Sequence, residues 1–334
     1  MRMDQAQAEN LLGKMCGRRV AVLGDLMLDE YLFGEVSRIS PEAPVPIVRI
    51  NRERAVLGGA ANVAANLKSI GAEPVLLGTL QKDIAGNRLQ ALLRGLEIKA
   101  DWLVLDPSRP TIIKTRVIGQ QQQMIRIDRE EEGGCQPVAV AALCARLEQA
   151  LEQVSALIIS DYAKGVVNLE LMDRVRELCR ARGIPWIVDP KPAHAALYRG
   201  APLMTPNTKE LAALTGMPAK GDDELAAAGQ ALMANLEVQG LLVTRSEKGM
   251  ALFAPDVQHR RPWLIPTEAR EVFDVSGAGD TVIAVFSAAI STGADWQDAA
   301  MLANAAAGVV VGKMGTATAT PAEVLRHYQD QEAL

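Results

Sequence analysis

The sequence predicts an α/β fold, a three-layer α/β/α sandwich with a mainly parallel central sheet and a small β-sheet lid over one end. Three observations lead there. Short aliphatic runs recur without polar interruption, longer helical stretches alternate with them, and two proline-bearing or glutamine-bearing segments break the alternation. An uninterrupted apolar run of a few residues is a strand buried on both faces, as in a parallel sheet covered by helices on either side.

The runs fall at residues 20–23, 75–77, 156–159, 186–188, 241–243 and 250–253. Between them, residues 60–70, 136–153, 169–182 and 223–238 place apolar side chains at helical spacing, so right-handed crossovers join strand to strand. Residues 31–54, with Pro41, Pro44 and Pro46, and residues 111–128, with the polar run at 120–123, read instead as extended chain and a hairpin that leave the core. They form the lid. An exposed sheet edge is commonly covered by a partner, so a homodimer through this lid follows. From Gly277 onward the chain is helical, at 278–292, 296–312 and 321–329, and rich in alanine for close helix packing. No repeat or linker divides the 334 residues, which read as one domain, 1–334, with the lid segments inserted in it.

Apolar residues make up 49% of the chain and charged residues 22%, the balance of a globular protein with a sizeable interior. A net charge of -5 and a pI near 5.4 supply no basic field for a nucleic-acid backbone or an anionic membrane, which leaves a small molecule as the partner. Cys16, Cys135, Cys144 and Cys179 show no C-x-x-C spacing, and His194, His259 and His327 lie far from them in sequence, so the cysteines read as reduced packing residues. Residues 1–10 lack the apolar centre of a secretory signal, and the apolar stretch 301–311 is too short to cross a bilayer; both point to the cytoplasm.

The chemistry concentrates near residue 280. Asp274-Val275-Ser276-Gly277-Ala278-Gly279-Asp280 leads directly into an apolar helix. Glycines at that junction let successive N–H groups point at one anion, and the helix N-terminus adds partial positive charge. A carboxylate there would repel a bound phosphate unless it accepts the proton of an attacking hydroxyl, the role assigned to Asp280. Gly58-Gly59-Ala60-Ala61-Asn62 opens a second helix, where backbone and amide can approach a polyhydroxylated ligand. Gly24-Asp25 ends the first buried strand and Asp29 follows; carboxylates at strand C-terminal ends can bind sugar hydroxyls. No G-x-G-x-x-G follows that strand, which argues against a dehydrogenase.

The two glycine segments, in this order, resemble the two signatures of the ribokinase-like carbohydrate kinases, the PfkB family, although Val275-Ser276 stands where a pair of threonines is usual. The resemblance covers nearly the whole chain. It implies an ATP-dependent sugar kinase in which Asp280 is the catalytic base and Gly277, Ala278 and Gly279 form the anion hole. Asn207-Thr208-Lys209-Glu210 resembles the family's N-x-x-E motif, implying Mg2+ organised through water by Glu210, with Asn207 near the nucleotide phosphates. Residues 244–249 resemble the nucleotide loop, which implies ATP contacts at Thr244, Ser246, Glu247 and Gly249, with Gly277, Gly279 and the helix residue Asn304 completing the ATP site.

Residues 37–46, 160–165 and Asp189-Pro190-Lys191 are similar to the bacterial branch that phosphorylates D-glycero-β-D-manno-heptose 7-phosphate on O1. Many members of that branch carry a fused nucleotidyltransferase domain; this chain ends soon after the kinase portion and resembles the single-function form. A substrate that already carries phosphate demands cations. Arg38, Lys114, Arg116, Arg126, Lys164 and Lys191 are the candidates, with Arg116, Lys164 and Lys191 favoured; Asp25, Asp29, Gly58, Gly59 and Asn62 complete the expected sugar site. A kinase of another sugar, or a regulator that binds sugar or nucleotide without catalysis, are the competing expectations.

Overall fold

The computed structural model describes residues 3–120, 122–254, 261–269, 272–313 and 315–332; Gln121 of the lid hairpin and His259 lie outside the described residues. Helix α1 (Gln5–Met15) precedes the first core strand, β1 (Arg19–Gly24). The chain then leaves the core in a long hairpin, β2 (Leu26–Ile39) and β3 (Pro46–Gly59), and returns through α2 (Ala60–Ser69) to β4 (Glu73–Leu77). A two-strand ribbon, β5 (Thr79–Leu80) with β6 (Val104–Leu105), brackets α3 (Ile84–Gly95), and a second hairpin follows, β7 (Ile112–Gly119) and β8 (Gln122–Arg129). Next come α4 (Pro137–Ala150), β9 (Ala156–Ser160), α5 (Leu169–Arg182), β10 (Trp186–Asp189), β11 (Leu203–Met204), α6 (Thr208–Thr215), α7 (Asp222–Leu236) and β12 (Gly240–Thr244). β13 (Met250–Phe253) and β14 (Trp263–Ile265) complete the sheet, and α8 (Ala278–Ile290), α9 (Trp296–Val311) and α10 (Pro321–Glu332) close the chain.

The eight-stranded sheet has the order β14-β13-β12-β11-β10-β9-β1-β4. From β4 to β12 all neighbours are parallel. Residues 250–253 look like one more such run in the sequence, yet β13 turns back against β12, and β14 against β13. Only residues 245–249 separate β12 from β13, and a parallel crossover needs a dozen residues or more.

Strand alternation sorts the core into two layers. Val20 and Val22 pack with Leu12, Leu67, Phe286 and Leu302 from α1, α2, α8 and α9, whereas Ala21 and Leu23 pack with Leu143, Leu147 and Val175 from α4 and α5. Each fully buried Leu or Val of these layers contributes about 1.5–3 kcal/mol through removal from water. The parallel strands therefore have apolar side chains on both faces, and their carboxyl ends converge on one rim, where open α/β sheets hold ligands.

Beside that rim stands the small sheet, order β3-β2-β7-β8. Its strands begin nearer the core than the sequence suggests: β2 starts at Leu26 and β3 ends at Gly59, paired to one another. β2 is antiparallel to β3 and parallel to β7, and β7 is antiparallel to β8. The inner ends of β2 and β3 thus lead directly into the glycine segments of the site.

Candidate active site

Asp280 sits in the first turn of α8, only 6% exposed. Asn62 Nδ2 donates to its Oδ2 at 2.7 Å and the Tyr162 hydroxyl donates to its Oδ1 at 2.9 Å. Burial pushes its pKa up, against both hydrogen bonds; Asp29 nearby pushes the same way and Lys191 opposes, and the result is about 6. A buried carboxylate with that pKa is ionised near neutral pH yet basic enough to take a proton. Behind it, Asn66 donates to the Asn62 carbonyl at 2.9 Å and accepts from Thr281 Oγ1 at 2.7 Å, so α2 and α8 hold the Asn62 amide against the carboxylate.

Gly277 caps α8 with φ 82°, a left-handed conformation that glycine adopts without strain. A Cβ there would come within 3.0 Å of both Asn62 Nδ2 and Thr316 Cγ2. Gly279, by contrast, faces open space within 4 Å. The first-turn amides of a helix have no intrahelical acceptor; here the Ala278 amide donates to the Val275 carbonyl at 3.2 Å, and Gly279 borders that opening beside Asp280.

On one side of this point lies a cleft of about 470 Å³, lined by Asn207, Thr244, Ser246, Glu247, Gly249, Gly279 and Asn304 together with the apolar Val282, Ala307 and Val311. The structure brings together there every residue assigned to ATP in the sequence except Gly277, which adjoins it. Asn207 caps α6, accepting from the amides of Lys209 and Glu210 at 2.9 Å each, while Glu210 Oε2 accepts from the Asn207 amide at 3.0 Å. The other Glu210 oxygen pairs with Lys191 Nζ at 2.9 Å. Asn304 Nδ2 donates to the Pro266 carbonyl at 2.8 Å, which fixes the far wall.

On the other side stand the residues assigned to the sugar. Asp25 is buried and accepts from the amides of Tyr162, Lys164 and Val166 at 2.9, 3.0 and 3.1 Å. Burial raises its pKa against these bonds. It therefore organises the 162–166 loop that delivers the Tyr162 hydroxyl. Asp29 pairs with Arg116 at 2.7 Å, and a Cβ on Gly58 would meet its Oδ2 at 2.8 Å. Gly59, φ 56°, starts α2 where a Cβ would lie 2.4 Å from the Asp25 carbonyl.

The cations expected to clamp a phosphate already have carboxylate partners. Lys164 pairs with Glu130, Lys191 with Glu210, Lys114 with Asp128 and Glu130, and Arg126 with Asp128. Arg38 is not brought to the site at all: it is exposed near the tip of the β2–β3 hairpin, about 30 Å of extended strand beyond Asp29. Sequence reasoning also missed Tyr162, Asn66 and Thr281, the groups that touch or brace Asp280. Their only sequence signal is position, Tyr162 inside residues 160–165 and Thr281 next to Asp280.

Asp189 adds a further carboxylate near Glu210 and Asp280. Burial, with Glu210 and Asp280 nearby, pushes the Asp189 pKa well above its ordinary value. Lys191 is held charged by Glu210 and Asp189 despite burial, and its ammonium lies 5.1 Å from the Tyr162 ring centre.

The model of the pfkB family carbohydrate kinases matches residues 18–323. The chain belongs to that family. As a member, it is an ATP-dependent sugar kinase. It is 47% identical over 311 residues, 93% of its length, to the bifunctional protein HldE of Actinobacillus pleuropneumoniae, and 46% identical over 305 residues to HldE of Escherichia coli strain HS. It spans a little under two thirds of these relatives, 64% and 62% of their lengths. Among solved structures, ribokinase of Arabidopsis thaliana with ribose and ATP superposes with a TM-score of 0.74 at 21% identity, covering 94% of this chain and 99% of that one. Phosphofructokinase-2 of Escherichia coli with potassium gives 0.77 at 19% identity, covering 95% and 99%. These likenesses confirm the ribokinase-like sandwich; at such identity they speak for the fold alone.

Proposed function

We propose that this sugar kinase transfers the γ-phosphoryl group of ATP to the anomeric O1 of D-glycero-β-D-manno-heptose 7-phosphate, giving heptose 1,7-bisphosphate for ADP-heptose and lipopolysaccharide inner-core synthesis. The observation that carries the phosphoryl-transfer chemistry is the position of Asp280: a buried, hydrogen-bonded carboxylate next to Gly279, which faces open space on the wall of the cleft that gathers the ATP residues. In this reading Asp280 takes the O1 proton, O1 bonds to the γ-phosphorus, the bond to the bridging β,γ-oxygen breaks, and ADP leaves. The amides at 277–279 offset charge on the migrating group, so positioning and electrostatics carry most of the rate.

Among the described residues no cluster of three acidic, histidine or cysteine side chains forms a metal cage. Glu210 accepts from the Asn207 amide and pairs with Lys191 yet retains free lone pairs, which fits a hydrated Mg2+ arriving with ATP and held through water by that carboxylate. Bound there, magnesium would supply positive charge to offset that of the phosphates. The small sheet acts as a lid over the sugar, and a cytoplasmic setting suits an enzyme fed by ATP; no helix among the described residues is long and apolar enough to cross a membrane.

The heptose assignment rests on residues 37–46, 160–165 and 189–191 and is supported by the identity to the HldE proteins. It is tested by ATP consumption with heptose 7-phosphate, fructose 6-phosphate, ribose and 2-keto-3-deoxygluconate. The highest kcat/KM belongs to heptose 7-phosphate; preference for another sugar overturns that assignment and leaves the kinase intact.

A further inference from the structure

A second cavity, about 900 Å³, opens between the inner face of the small sheet and the loop that precedes the anion hole. Tyr31, Phe33, Arg52 and Arg54 line it from β2 and β3; Phe273, Asp274 and Gly315 line it from the core. It is joined to the catalytic point: the Tyr31 hydroxyl lies 3.1 Å from Thr316 Oγ1, and Thr316 is the residue against which Gly277 packs.

The sheet register sets a ruler along this cavity. Asp29 stands opposite Val56 and Lys114, Tyr31 opposite Arg54 and Arg116, and Phe33 opposite Arg52 and Ile118, so these rows share one face. Asp29 acts electrostatically on Asp280 and marks the catalytic end. At roughly 3.3 Å per residue, the Arg54 row lies about 7 Å and the Arg52 row about 13 Å farther out. A seven-carbon sugar places its terminal phosphate roughly 8 Å from O1, from bond lengths near 1.5 Å.

The cations here differ from the others around the site. Arg116, Lys114, Lys164 and Lys191 are each neutralised by a carboxylate. Arg54 has no ion pair or hydrogen bond among the described residues, and its guanidinium borders Gly315; Arg52 only stacks over the Phe33 ring at 4.1 Å. Of the acids on the wall, Asp274 is occupied by the amides of Ser276 and Gly315, and Glu53 stands between the two arginines, one residue out of step with their rows.

We infer that Arg52 and Arg54 bind the phosphate that the sugar substrate already carries, making this cavity the determinant of phosphorylated over free sugars. The inference rests on the sugar-phosphate reading above. The same chemistry, a phosphate dianion, also belongs to the γ-phosphate of ATP, so the test separates the two sources. Full-length Arg52→Ala, Arg54→Ala and Arg54→Lys are assayed at saturating ATP with heptose 7-phosphate and with unphosphorylated heptose, and thermal melts establish folding. Each alanine variant lowers the ratio of kcat/KM for phosphorylated over free sugar by about 10-fold to 100-fold, chiefly through KM, as loss of a charged hydrogen bond implies, and Arg54→Lys recovers part of it. Inorganic phosphate, a competitor of the sugar phosphate in wild type, competes more weakly in the variants. An equal fall for both sugars assigns the arginines to ATP or to folding and overturns the inference, as does an unaltered ratio. A wild type with no preference for the phosphorylated sugar overturns the substrate reading, and this inference with it.

Discussion

A carboxylate placed where water is scarce gains basicity and loses stability, and Asp280 shows both effects. Its folded pKa of about 6 exceeds the ordinary 3.8, so the folded chain binds that proton more tightly than the unfolded one. Stability from this group therefore falls as pH rises from about 4 to about 6, by about 2–3 kcal/mol in all. Asp280→Asn lowers kcat by about 10²-fold to 10⁴-fold, while melting at a higher temperature than wild type at pH 8 and losing that advantage near pH 4. Tyr162 supplies the companion prediction. Its hydroxyl bonds the charged form of Asp280, so Tyr162→Phe raises the pKa and moves the acidic limb of the pH–kcat/KM profile to higher pH. The deficit then shrinks at pH 9; a loss constant across pH would show that Tyr162 only shapes the pocket. Asp280 was legible because a carboxylate next to an anion-binding glycine run needs a chemical reason. Tyr162 was not, because its partner lies 118 residues away and only the fold joins them.

The glycine segments stand at helix starts, and the two glycines of α8 separate structure from chemistry. Gly277→Ala forces a Cβ into a left-handed position against Asn62 and Thr316, costing about 1–2 kcal/mol and displacing the Asn62 amide, so both Tm and kcat fall. Gly279→Ala meets no protein atom and sits at a helical position that alanine favours by about 0.5–1 kcal/mol, so Tm holds or rises while kcat falls as the methyl group enters the path of the transferred phosphate. Parallel melts and ATP kinetics on the two variants check this contrast. The glycine segments and the 207–210 cap were readable because turn and capping chemistry is local. The ion pairs were not: Arg116 meets Asp29, and Lys164 meets Glu130, through strand register and loop packing that no local pattern encodes.

At the scale of the molecule, the parallel core was readable from its apolar runs, but strand direction was not; the antiparallel return at β13 follows from a short connection rather than from hydrophobicity. Amphipathic α1, α3 and the two-residue β11 escaped notice because short or mixed patterns match several elements equally. The small sheet leaves Met124, Ile125 and Ile127 exposed along β8, its edge strand, where unpaired backbone and apolar side chains favour a second copy. Light scattering of wild type is expected to give the mass of two chains, and Ile125→Lys with Ile127→Lys that of one. In the proposed mechanism Asp280 faces the acceptor hydroxyl while the α8 helix start faces the phosphate. A crystal structure with heptose 7-phosphate and a non-hydrolysable ATP analogue tests it most directly. O1 is expected about 2.6–3.2 Å from an Asp280 oxygen, with the γ-phosphate over residues 277–279; O1 turned away from Asp280, with the phosphate bound elsewhere, would contradict the mechanism.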